Sequence, residues 1–377
     1  MQIFINGRFL GQRRTGIQRF AFETLNALDQ LLSESDVYRN VEFIVVAPHG
    51  TPQPTLKVMK FCDVGPFRGH LWEQLTLPAH CRGAFLIGFG ATGPLAKKQQ
   101  VVTIHDAAVF VVPDAFGWAF RQWYRFVLPV LARRAERLMT VSEFAKAELV
   151  RYLGVAASHA CVTGEGWEHI RDVPAEPSVL ANHCLEPGRY VLAVGSISPH
   201  KNLSVVARAM ELLGRDLDID FVVAGPVNRS VFRQGKSEGS LKLIGYVSDG
   251  ELRALYEHAG AFVHPSRYEG FGIPPIEAMG LGCPVIASNV AAMPEVCGDA
   301  AWYFDPDDAP GLVRLIARMF SEPVERNALI RKGYARAEQH QWRLAAARFL
   351  ELVDEIARET ATQPFVRRAS EFQQSAE

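Results

Sequence analysis

Short apolar runs alternate with helical stretches along this chain, and the whole alternation occurs twice. The first series begins at Ile3–Ile5 and continues with a helical pattern after Gly16, and the second begins at Tyr190–Val194. Strands that alternate with helices predict parallel sheets with helices on both faces. The sequence therefore predicts an α/β protein of two doubly wound, Rossmann-like domains, whose ligands bind at the carboxyl ends of the strands.

The length of 377 residues exceeds what one ordinary hydrophobic core needs, which agrees with two domains. Little periodicity and several prolines mark the region from Gly164 to Gly188, so we place the domain boundary there. The expected parts are a first domain at 1–184 and a second domain at 185–345. The remaining residues, 346–377, are expected to form a helix that can cross back to the first domain, before a tail that frays from about Thr362.

The composition of the chain limits which binding partners and which cellular compartment we expect. A net charge of −1 and a pI near 6.8 argue against a nucleic-acid partner. The six cysteines form no C-x-x-C pair or zinc pattern, which fits free thiols in a reducing cytosol. The N-terminus leads directly into a strand without a secretory signal, and no apolar run approaches the roughly 20 residues of a membrane span. We expect a cytoplasmic protein, at most peripheral on the cytoplasmic face of the inner membrane.

The most informative stretch joins a strand that ends at His264 to a helix that begins near Gly272. Two prolines follow Gly272, and proline is accommodated in the first turn of a helix. The loop therefore presents backbone N–H groups and the positive end of a helix dipole, which suit a diphosphate. Glu269 in the loop and Glu277 in the helix flank this point. A carboxylate next to a diphosphate is electrostatically unfavourable unless it binds hydroxyl groups. We therefore expect Glu277 to hold a ribose and Glu269 a transferred sugar.

The spacing of these two glutamates carries a resemblance to a known family. The residues from 265 to 279 read Pro-Ser-x-Tyr-Glu-Gly-Phe-Gly-x-Pro-x-x-Glu-Ala-Met, with seven residues between Glu269 and Glu277. This pattern resembles the E-x7-E motif of the retaining glycosyltransferases of the GT-B fold known as family 4. The segments at 282–288 and 293–306 resemble the continuation of the same family. The resemblance covers about residues 1–357 and implies two domains that face a central cleft. It implies that the domain at 1–184 binds the acceptor and the domain at 185–345 binds the nucleotide sugar.

The same resemblance suggests further donor contacts. Lys201, in Ser-Pro-His-Lys-Asn after the strand at Tyr190–Val194, resembles the lysine that meets the donor diphosphate. A cation there would stabilise a departing nucleotide. The family often has an arginine where this chain has Ser196, and Arg13, Arg14 and Arg229 are three alternatives for the missing cation. The residues that the resemblance assigns to donor binding are Gly16, Ser196, Lys201, Val247, Phe271, Gly272, Ile273 and Glu277.

In the first half, His105 and Asp106 follow the short apolar run Val101–Ile104. They resemble the family's histidine-aspartate element, which implies that they meet the substrate sugar, although a local helix cap is the alternative interpretation. The predicted catalytic residues are therefore Glu269, His105 and Asp106. The implied reaction retains the anomeric configuration through a front-face displacement. No convincing D-x-D element is present, so we expect no metal site and no obligatory cofactor beyond the nucleotide sugar.

Three other functions compete with sugar transfer. A GT-B epimerase or phosphorylase would share the fold, but the E-x7-E pattern with Lys201 favours a transferase. A dehydrogenase lacks support because no G-x-G-x-x-G follows the first strand. A catalytically degenerate nucleotide-binding or scaffold subunit stays open because of Ser196.

The stretches around Trp72 and Trp167 resemble bacterial polysaccharide mannosyltransferases, which makes GDP-mannose the first choice of donor, with UDP- and dTDP-sugars open. The expected acceptor is a glycan or a lipid-linked sugar in cell-surface polysaccharide synthesis. The aromatic and basic run from Trp118 to Arg137 suggests a face for an anionic bilayer or a lipid-diphosphate acceptor, with a partly buried helix as the alternative.

Overall fold

The computed structural model describes residues 2–196, 198–214, 217–226 and 241–360. These residues form two compact units. The first unit contains the residues up to 110, residues 118–165 and those from 342 onward, and the second contains 111–117 and 166–341. Arg229 and the tail from Thr362 lie outside the described residues.

A seven-stranded parallel sheet forms the centre of the first unit. Its strand order is β3-β2-β1-β4-β5-β6-β7, so the order reverses between β1 and β4. The central strand β1 is buried because Ile3, Phe4 and Ile5 are covered on both faces. The strands are β1 (Gln2–Asn6), β2 (Glu42–Pro48), β3 (Lys60–Val64), β4 (Phe85–Gly88), β5 (Gln100–Thr103), β6 (Arg137–Thr140) and β7 (Ala160–Val162).

Helices connect these strands, and a π-helical turn at Trp72–Thr76 separates two short ones. The helix that follows β5 begins at Ala108. The sequence pattern predicts a longer helical stretch over 115–139, and within it the structure has a helix from Trp118 to Arg134. The helices up to β7 are α1 (Gly16–Glu34), α2 (Gly69–Leu71), α3 (Leu77–His80), α4 (Ala108–Val111), α5 (Trp118–Arg134) and α6 (Glu143–Leu153).

The second unit has a six-stranded parallel sheet of order β10-β9-β8-β11-β12-β13. The order reverses between β8 and β11, whose register pairs Ala261 with Val191. Both units are thus doubly wound α/β structures, which confirms the predicted fold class. The strands are β8 (Tyr190–Val194), β9 (Asp220–Ala224), β10 (Leu241–Gly245), β11 (Ala261–His264), β12 (Val285–Ser288) and β13 (Ala301–Phe304).

Helices of the second unit pack on both sides of this sheet, and its core includes Val205, Phe221, Ile286 and Leu312. The helices are α7 (Glu168–Arg171), α8 (Ser178–Asn182), α9 (Leu203–Leu213), α10 (Asp249–His258), α11 (Ile273–Gly280), α12 (Met293–Cys297), α13 (Ala309–Ser321) and α14 (Pro323–Ala337).

The last described helix, α15 (Trp342–Thr360), belongs to the first unit, where it packs against α1. The Trp342 ring meets the Phe20 ring edge-on at 6.0 Å, and the Tyr38 hydroxyl donates to Asp354 Oδ2 at 2.8 Å. The sequence pattern predicts one helix over 323–356. This prediction is wrong, because the chain leaves the helical path between Ala337 and Trp342.

The compact units differ from the expected domains at both boundaries. Residues 166–184 belong to the second unit rather than the first, because their apolar side chains pack there and the Glu176 N–H donates to the Gly250 carbonyl at 3.0 Å. Val179 and Ile170 are buried. Residues 342–345 belong to the first unit because α15 begins at Trp342.

The sequence predicts that a helix begins at Ser142 and Glu143 and that Asp249 caps another helix. Ser142 caps α6 as expected, because its hydroxyl accepts the Ala145 N–H at 2.9 Å. The cap of α10 is Ser248 rather than Asp249. Ser248 and Glu251 form a reciprocal capping box, in which each side chain accepts the backbone N–H of the other residue.

Within the described ranges, no helix combines the length and the apolar character that crossing a membrane requires.

Candidate functional site

The loop between β11 and α11 has the form that the sequence predicted. Gly272 precedes the first helical residue Ile273 and has a φ of +93°, a conformation that glycine adopts without strain. A Cβ at this position would lie 2.5 Å from Met293 Cε. Phe271 and Ile273 are buried on either side of it. Glycine is therefore needed here both for the backbone turn and for packing, and the N-terminus of α11 is set at the carboxyl end of β11.

Glu269 is surrounded by hydrogen-bond donors from its own unit. Lys201 Nζ donates to Glu269 Oε1 at 2.6 Å, and the Ser266 hydroxyl donates to the same oxygen at 2.9 Å. His264 Nε2 lies 3.2 Å from it, and the His264 side chain is only 2% exposed. Burial on its own would raise the pKa of Glu269, but Lys201 and His264 outweigh it and hold that pKa well below the ordinary value. Glu269 is therefore an ionised carboxylate that already has a cationic partner.

Lys201 reaches Glu269 because its turn is fastened to the glutamate loop. The residues Pro199–Lys201 form a 3-10 turn after β8, and Asn202 follows in the left-handed region with a φ of +51°. The Asn202 amide donates to the Pro265 carbonyl at 3.1 Å and to the Pro306 carbonyl at 2.8 Å. This buried amide joins the loops that follow β8, β11 and β13, and it fixes the ammonium group beside the carboxylate.

Glu277 lies one turn into α11 and is also held by the protein. His169 Nε2 lies 2.9 Å from Glu277 Oε1, and the Tyr256 hydroxyl donates to Glu277 Oε2 at 3.1 Å. Burial, and then the Glu277 carboxylate, raise the pKa of the Tyr256 hydroxyl well above its ordinary value, so Tyr256 stays a donor. Sequence reasoning missed both partners. His169 lies in the segment treated as a domain boundary, and Tyr256 is one apolar position of a helix.

The other predicted donor residues of this unit lie at the same edge of the sheet. Ser196 follows β8 and Val247 follows β10, and the carboxyl ends of parallel strands share one edge. Arg267 is not among the three arginines considered for the missing cation, and it forms two hydrogen bonds with Asp307, the longer of them 3.0 Å. The structure thus brings together Lys201, Glu269 and the loop before α11, with Ser196 and Val247 on the same side.

In the first unit, His105 follows β5 and both of its ring nitrogens face protein groups. Nε2 lies 3.2 Å from the Phe89 carbonyl oxygen, and Nδ1 lies 3.5 Å from Glu165 Oε1. The ring also meets the Phe20 ring edge-on at 4.6 Å, and its side chain is 8% exposed. Asp106 Oδ1 accepts the Ala108 N–H at 2.8 Å, which is a local cap at the start of α4.

Gly16 is the first residue of α1, so it lies at the start of a helix that follows β1. The side chain of the cap residue Thr15 accepts no backbone N–H of this helix, and its hydroxyl donates to the Gln18 side-chain oxygen instead. A Cβ at Gly16 would meet no atom within 4 Å. Arg14 places its guanidinium 4.1 Å from the Phe22 ring centroid. The space beside Gly16 is therefore open, as a loop that approaches a ligand requires.

The chemistry available in the second unit is the recognition of an anion and of hydroxyl groups. An ammonium group and a helix N-terminus can stabilise a diphosphate, and two ionised or buried carboxylates can accept hydrogen bonds from sugars. Among the described residues, no group of three or more His, Cys, Asp or Glu side chains is arranged to hold a metal ion.

Comparisons with known proteins match the two halves of the chain separately. The family described as Glycosyltransferase Family 4 matches residues 15–166, and the family described as Glycosyl transferases group 1 matches residues 183–336. The O-antigen chain mannosyltransferase B of Escherichia coli is 31% identical over 260 residues, which cover 66% of this chain and 68% of that protein.

Solved structures share the fold at low identity. Sucrose-phosphate synthase from Thermosynechococcus elongatus gives a TM-score of 0.74 at 17% identity and covers 95% of this chain and 99% of its own. Anabaena HepE in complex with UDP and glucose gives a TM-score of 0.69 at 16% identity, over 93% of this chain and 98% of that one.

Proposed function

The chain belongs to the family 4 glycosyltransferases of the GT-B fold, and from this premise we propose that it is a retaining hexosyltransferase that moves mannose from GDP-mannose to a glycan or lipid-linked acceptor. The observation that carries the proposal is the group formed by Lys201, Glu269 and Glu277 around the start of α11. The relative in Escherichia coli is a mannosyltransferase, which supports mannose as the transferred sugar. Synthesis of a cell-surface polysaccharide is the proposed context.

The proposed chemistry uses the second unit to hold the donor. The bond from the anomeric carbon to the diphosphate oxygen breaks, and the acceptor hydroxyl forms the new bond on the same face. The acceptor proton passes to the departing phosphate oxygen. Lys201 and the N-terminus of α11 stabilise the charge that develops on the diphosphate. Because Lys201 already donates to Glu269, the bound donor shares this ammonium with the carboxylate.

The remaining residues position the substrates. Glu269 accepts hydrogen bonds from the transferred sugar, and Glu277 accepts them from the ribose. Ser196, Val247, Phe271, Gly272 and Ile273 line the donor site, and Gly16 approaches the donor from the loop after β1. His105 and Asp106 are the proposed contacts to the substrate sugar. No metal ion takes part in this proposal.

A thermal-shift screen tests the donor site. Purified protein is melted with GDP, UDP, dTDP, ADP and their common sugar conjugates, and we expect guanosine compounds to raise the Tm because ligands stabilise the state that binds them. The rise should be lost in Lys201→Ala and Glu277→Ala. Lys242→Ala is the matched control, since Lys242 also pairs with a carboxylate, Asp220, at 2.8 Å in the same unit.

The outcome also separates the proposal from its alternatives. A shift with uridine or thymidine compounds alone would contradict GDP-mannose and leave a glycosyltransferase. No shift with any nucleotide, while the protein is folded, would contradict the donor site. Binding without any hydrolysis or transfer of a sugar nucleotide would support a degenerate scaffold subunit instead of an enzyme.

We propose in addition that α5 lies against an anionic membrane while the enzyme acts. The side chains of Trp118 and Phe126 are 71% and 61% exposed, and Arg125, Arg133 and Arg134 are exposed on the same helix. The stretch from 115 to 135 contains no acidic residue. Exposed aromatic rings beside arginines fit the headgroup region of a bilayer.

Vesicle flotation tests this contact. Wild-type protein should float with vesicles that contain phosphatidylglycerol and stay behind with pure phosphatidylcholine. The double variant Trp118→Ser/Phe126→Ser should lose flotation, whereas Val324→Ser, at another exposed apolar residue, should keep it. Equal flotation of wild type and double variant would contradict the membrane contact.

A further inference from the structure

We propose that His169 is a positioning residue that holds the Glu277 carboxylate in the orientation that receives the ribose hydroxyls of the donor. This inference rests on the proposed donor site. His169 belongs to the short helix α7 and has no part in the motif that carries the family resemblance. Its side chain is 4% exposed and that of Glu277 is 8% exposed, so their contact is shielded from water.

The contact geometry fixes both carboxylate oxygens. A carboxylate oxygen accepts hydrogen bonds, and we take His169 Nε2 as the donor in its 2.9 Å contact with Oε1. Tyr256 donates to Oε2 at 3.1 Å. Among the residues that the structure describes, each oxygen therefore has one donor from the protein. A carboxylate offers about four acceptor positions in total, which leaves one on each oxygen for a ligand with two neighbouring hydroxyls.

His169 is held in place by the helix that carries Glu277. Two residues before it, the Trp167 ring packs so closely on α11 that a Cβ at Gly280 would lie 2.3 Å from the ring. Trp167 Nε1 also donates to the Ala337 carbonyl at 3.1 Å. Gly280 is in the same short helix as Glu277. The segment from Trp167 to His169 is thus packed to α11, and the imidazole keeps a constant position relative to the carboxylate.

A positioning role makes a prediction that a general structural role does not make. If His169 acts through Glu277 on the ribose, its loss should weaken only ligands that possess ribose hydroxyls. A histidine that merely supports the fold should affect nucleotides with and without these hydroxyls equally. The removal of the ribose hydroxyls from the ligand is therefore the discriminating perturbation.

The experiment measures dissociation constants of GDP, UDP and ADP, each with its 2′,3′-dideoxy analogue, by calorimetry. Two variants of His169 differ in whether they keep a hydrogen-bond donor. His169→Gln keeps a donor near the Nε2 position, and His169→Leu fills similar space without one. His183→Leu, at the end of α8 in the same unit, is the matched control. Circular dichroism and the Tm without ligand establish that each variant is folded.

We expect the wild type to bind one ribonucleotide about tenfold or more tightly than its dideoxy analogue, a difference of about 1.4 kcal/mol. In His169→Leu the affinity for the ribonucleotide should fall about tenfold and the affinity for the analogue less than about twofold, so that the variant no longer discriminates between the two ligands. His169→Gln should retain most of the discrimination between the two ligands, and His183→Leu should discriminate as well as the wild type. If His169→Leu does not fold, Tyr256→Phe removes the other donor and should reduce the discrimination in the same direction.

Other results would overturn the inference in distinguishable ways. Equal weakening of both ligands, or full discrimination in His169→Leu, would show that His169 does not act through Glu277. A wild type that binds nucleotides without discrimination would place Glu277 away from the ribose and leave the donor site intact. A wild type that binds no nucleotide would remove the proposed function itself, and the inference with it.

Discussion

In the second unit Glu269 is paired with a lysine side chain that a ligand can compete for. In the first unit Asp106 is engaged by a backbone N–H, and His105 by a backbone carbonyl and the buried Glu165 carboxylate. Lys201 donates to Glu269 across a contact whose two side chains keep 26% and 14% exposure. His105 faces the Phe89 carbonyl and Asp106 caps α4. Both sets follow strands at the carboxyl edge of a parallel sheet, so position alone does not distinguish them.

The two sets differ in whether their side chains can still form hydrogen bonds with a ligand. An ion pair at a partly open site can be redistributed when a charged ligand arrives, because ammonium and carboxylate groups have further hydrogen-bonding positions. A helix cap or a buried histidine between a carbonyl and a carboxylate already has its partners. We therefore expect substitutions in the second unit to affect mainly catalysis, and substitutions in the first to affect mainly stability.

The largest expected effect is on Lys201. Lys201→Met should slow turnover by about 10²–10³-fold, because it removes a charge that stabilises the departing diphosphate. Lys242→Met, which removes a paired lysine elsewhere in the same unit, should keep the turnover rate within about threefold of the wild type. Steady-state kinetics with the preferred sugar nucleotide provide the measurement. Similar losses in both variants would show that Lys201 has only a structural role.

His105→Gln tests the first unit. We expect turnover to slow by no more than about tenfold and the free energy of unfolding to fall by about 1–3 kcal/mol, since the Phe89 carbonyl and Glu165 lose their common partner. Denaturant unfolding and kinetics on the same preparation separate the two effects. If turnover instead slows by about 10²–10⁴-fold while stability is unchanged, the imidazole acts on the substrate sugar.

Asp106 offers a finer test, because asparagine also caps helices. Asp106→Asn should keep both stability and turnover close to the wild type, and Asp106→Ala should cost about 1 kcal/mol of unfolding free energy. Chemical denaturation and initial rates are the measurements. If Asp106→Asn is folded but inactive, the negative charge takes part in the reaction and the contrast between the units is smaller than proposed.

The smallest expected effect concerns pH. Because the folded-state pKa of Glu269 is held below its ordinary value, its ion pair adds stability above the unfolded-state pKa of about 4.3, and this stability is lost as the pH falls toward the lower folded-state pKa. The Tm difference between wild type and Glu269→Gln should therefore narrow by about 2–4 °C between about pH 7 and pH 3.5. The same difference in a Lys201→Met background should change less. A gap that widens on acidification would contradict this assignment.

The loop before α11 could be predicted from the sequence because its signals are local. A glycine and two prolines determine where α11 begins, and a fixed spacing then places Glu269 and Glu277 near one loop. Lys201 follows a strand whose neighbour in the sheet is β11. By contrast, the contact between His169 and Glu277 joins residues more than a hundred positions apart, and no periodicity or motif encodes such a pairing.

Sheet edges and helix breaks were also hard to predict. The pattern of apolar runs does not predict the edge strands β3, β7 and β13, because many of their side chains are only partly buried. A run of helical residues concealed the break between Ala337 and Trp342. Ser248 and Asp249 are both good cap residues, and only the backbone conformation decides between them.

The position of α15 has a consequence for how the chain is made. The first unit needs this helix for its core, since the Phe349 ring packs against the Phe89 ring at 5.1 Å and Asp354 accepts from Tyr38. The ribosome synthesises α15 only after the whole second unit. At about 5–20 residues per second, the nascent first unit waits roughly 10–40 s with an uncovered apolar face along α1. The second unit comes later in the chain, but all of its strands and helices are synthesised before α15, and we expect it to complete its folding before the first.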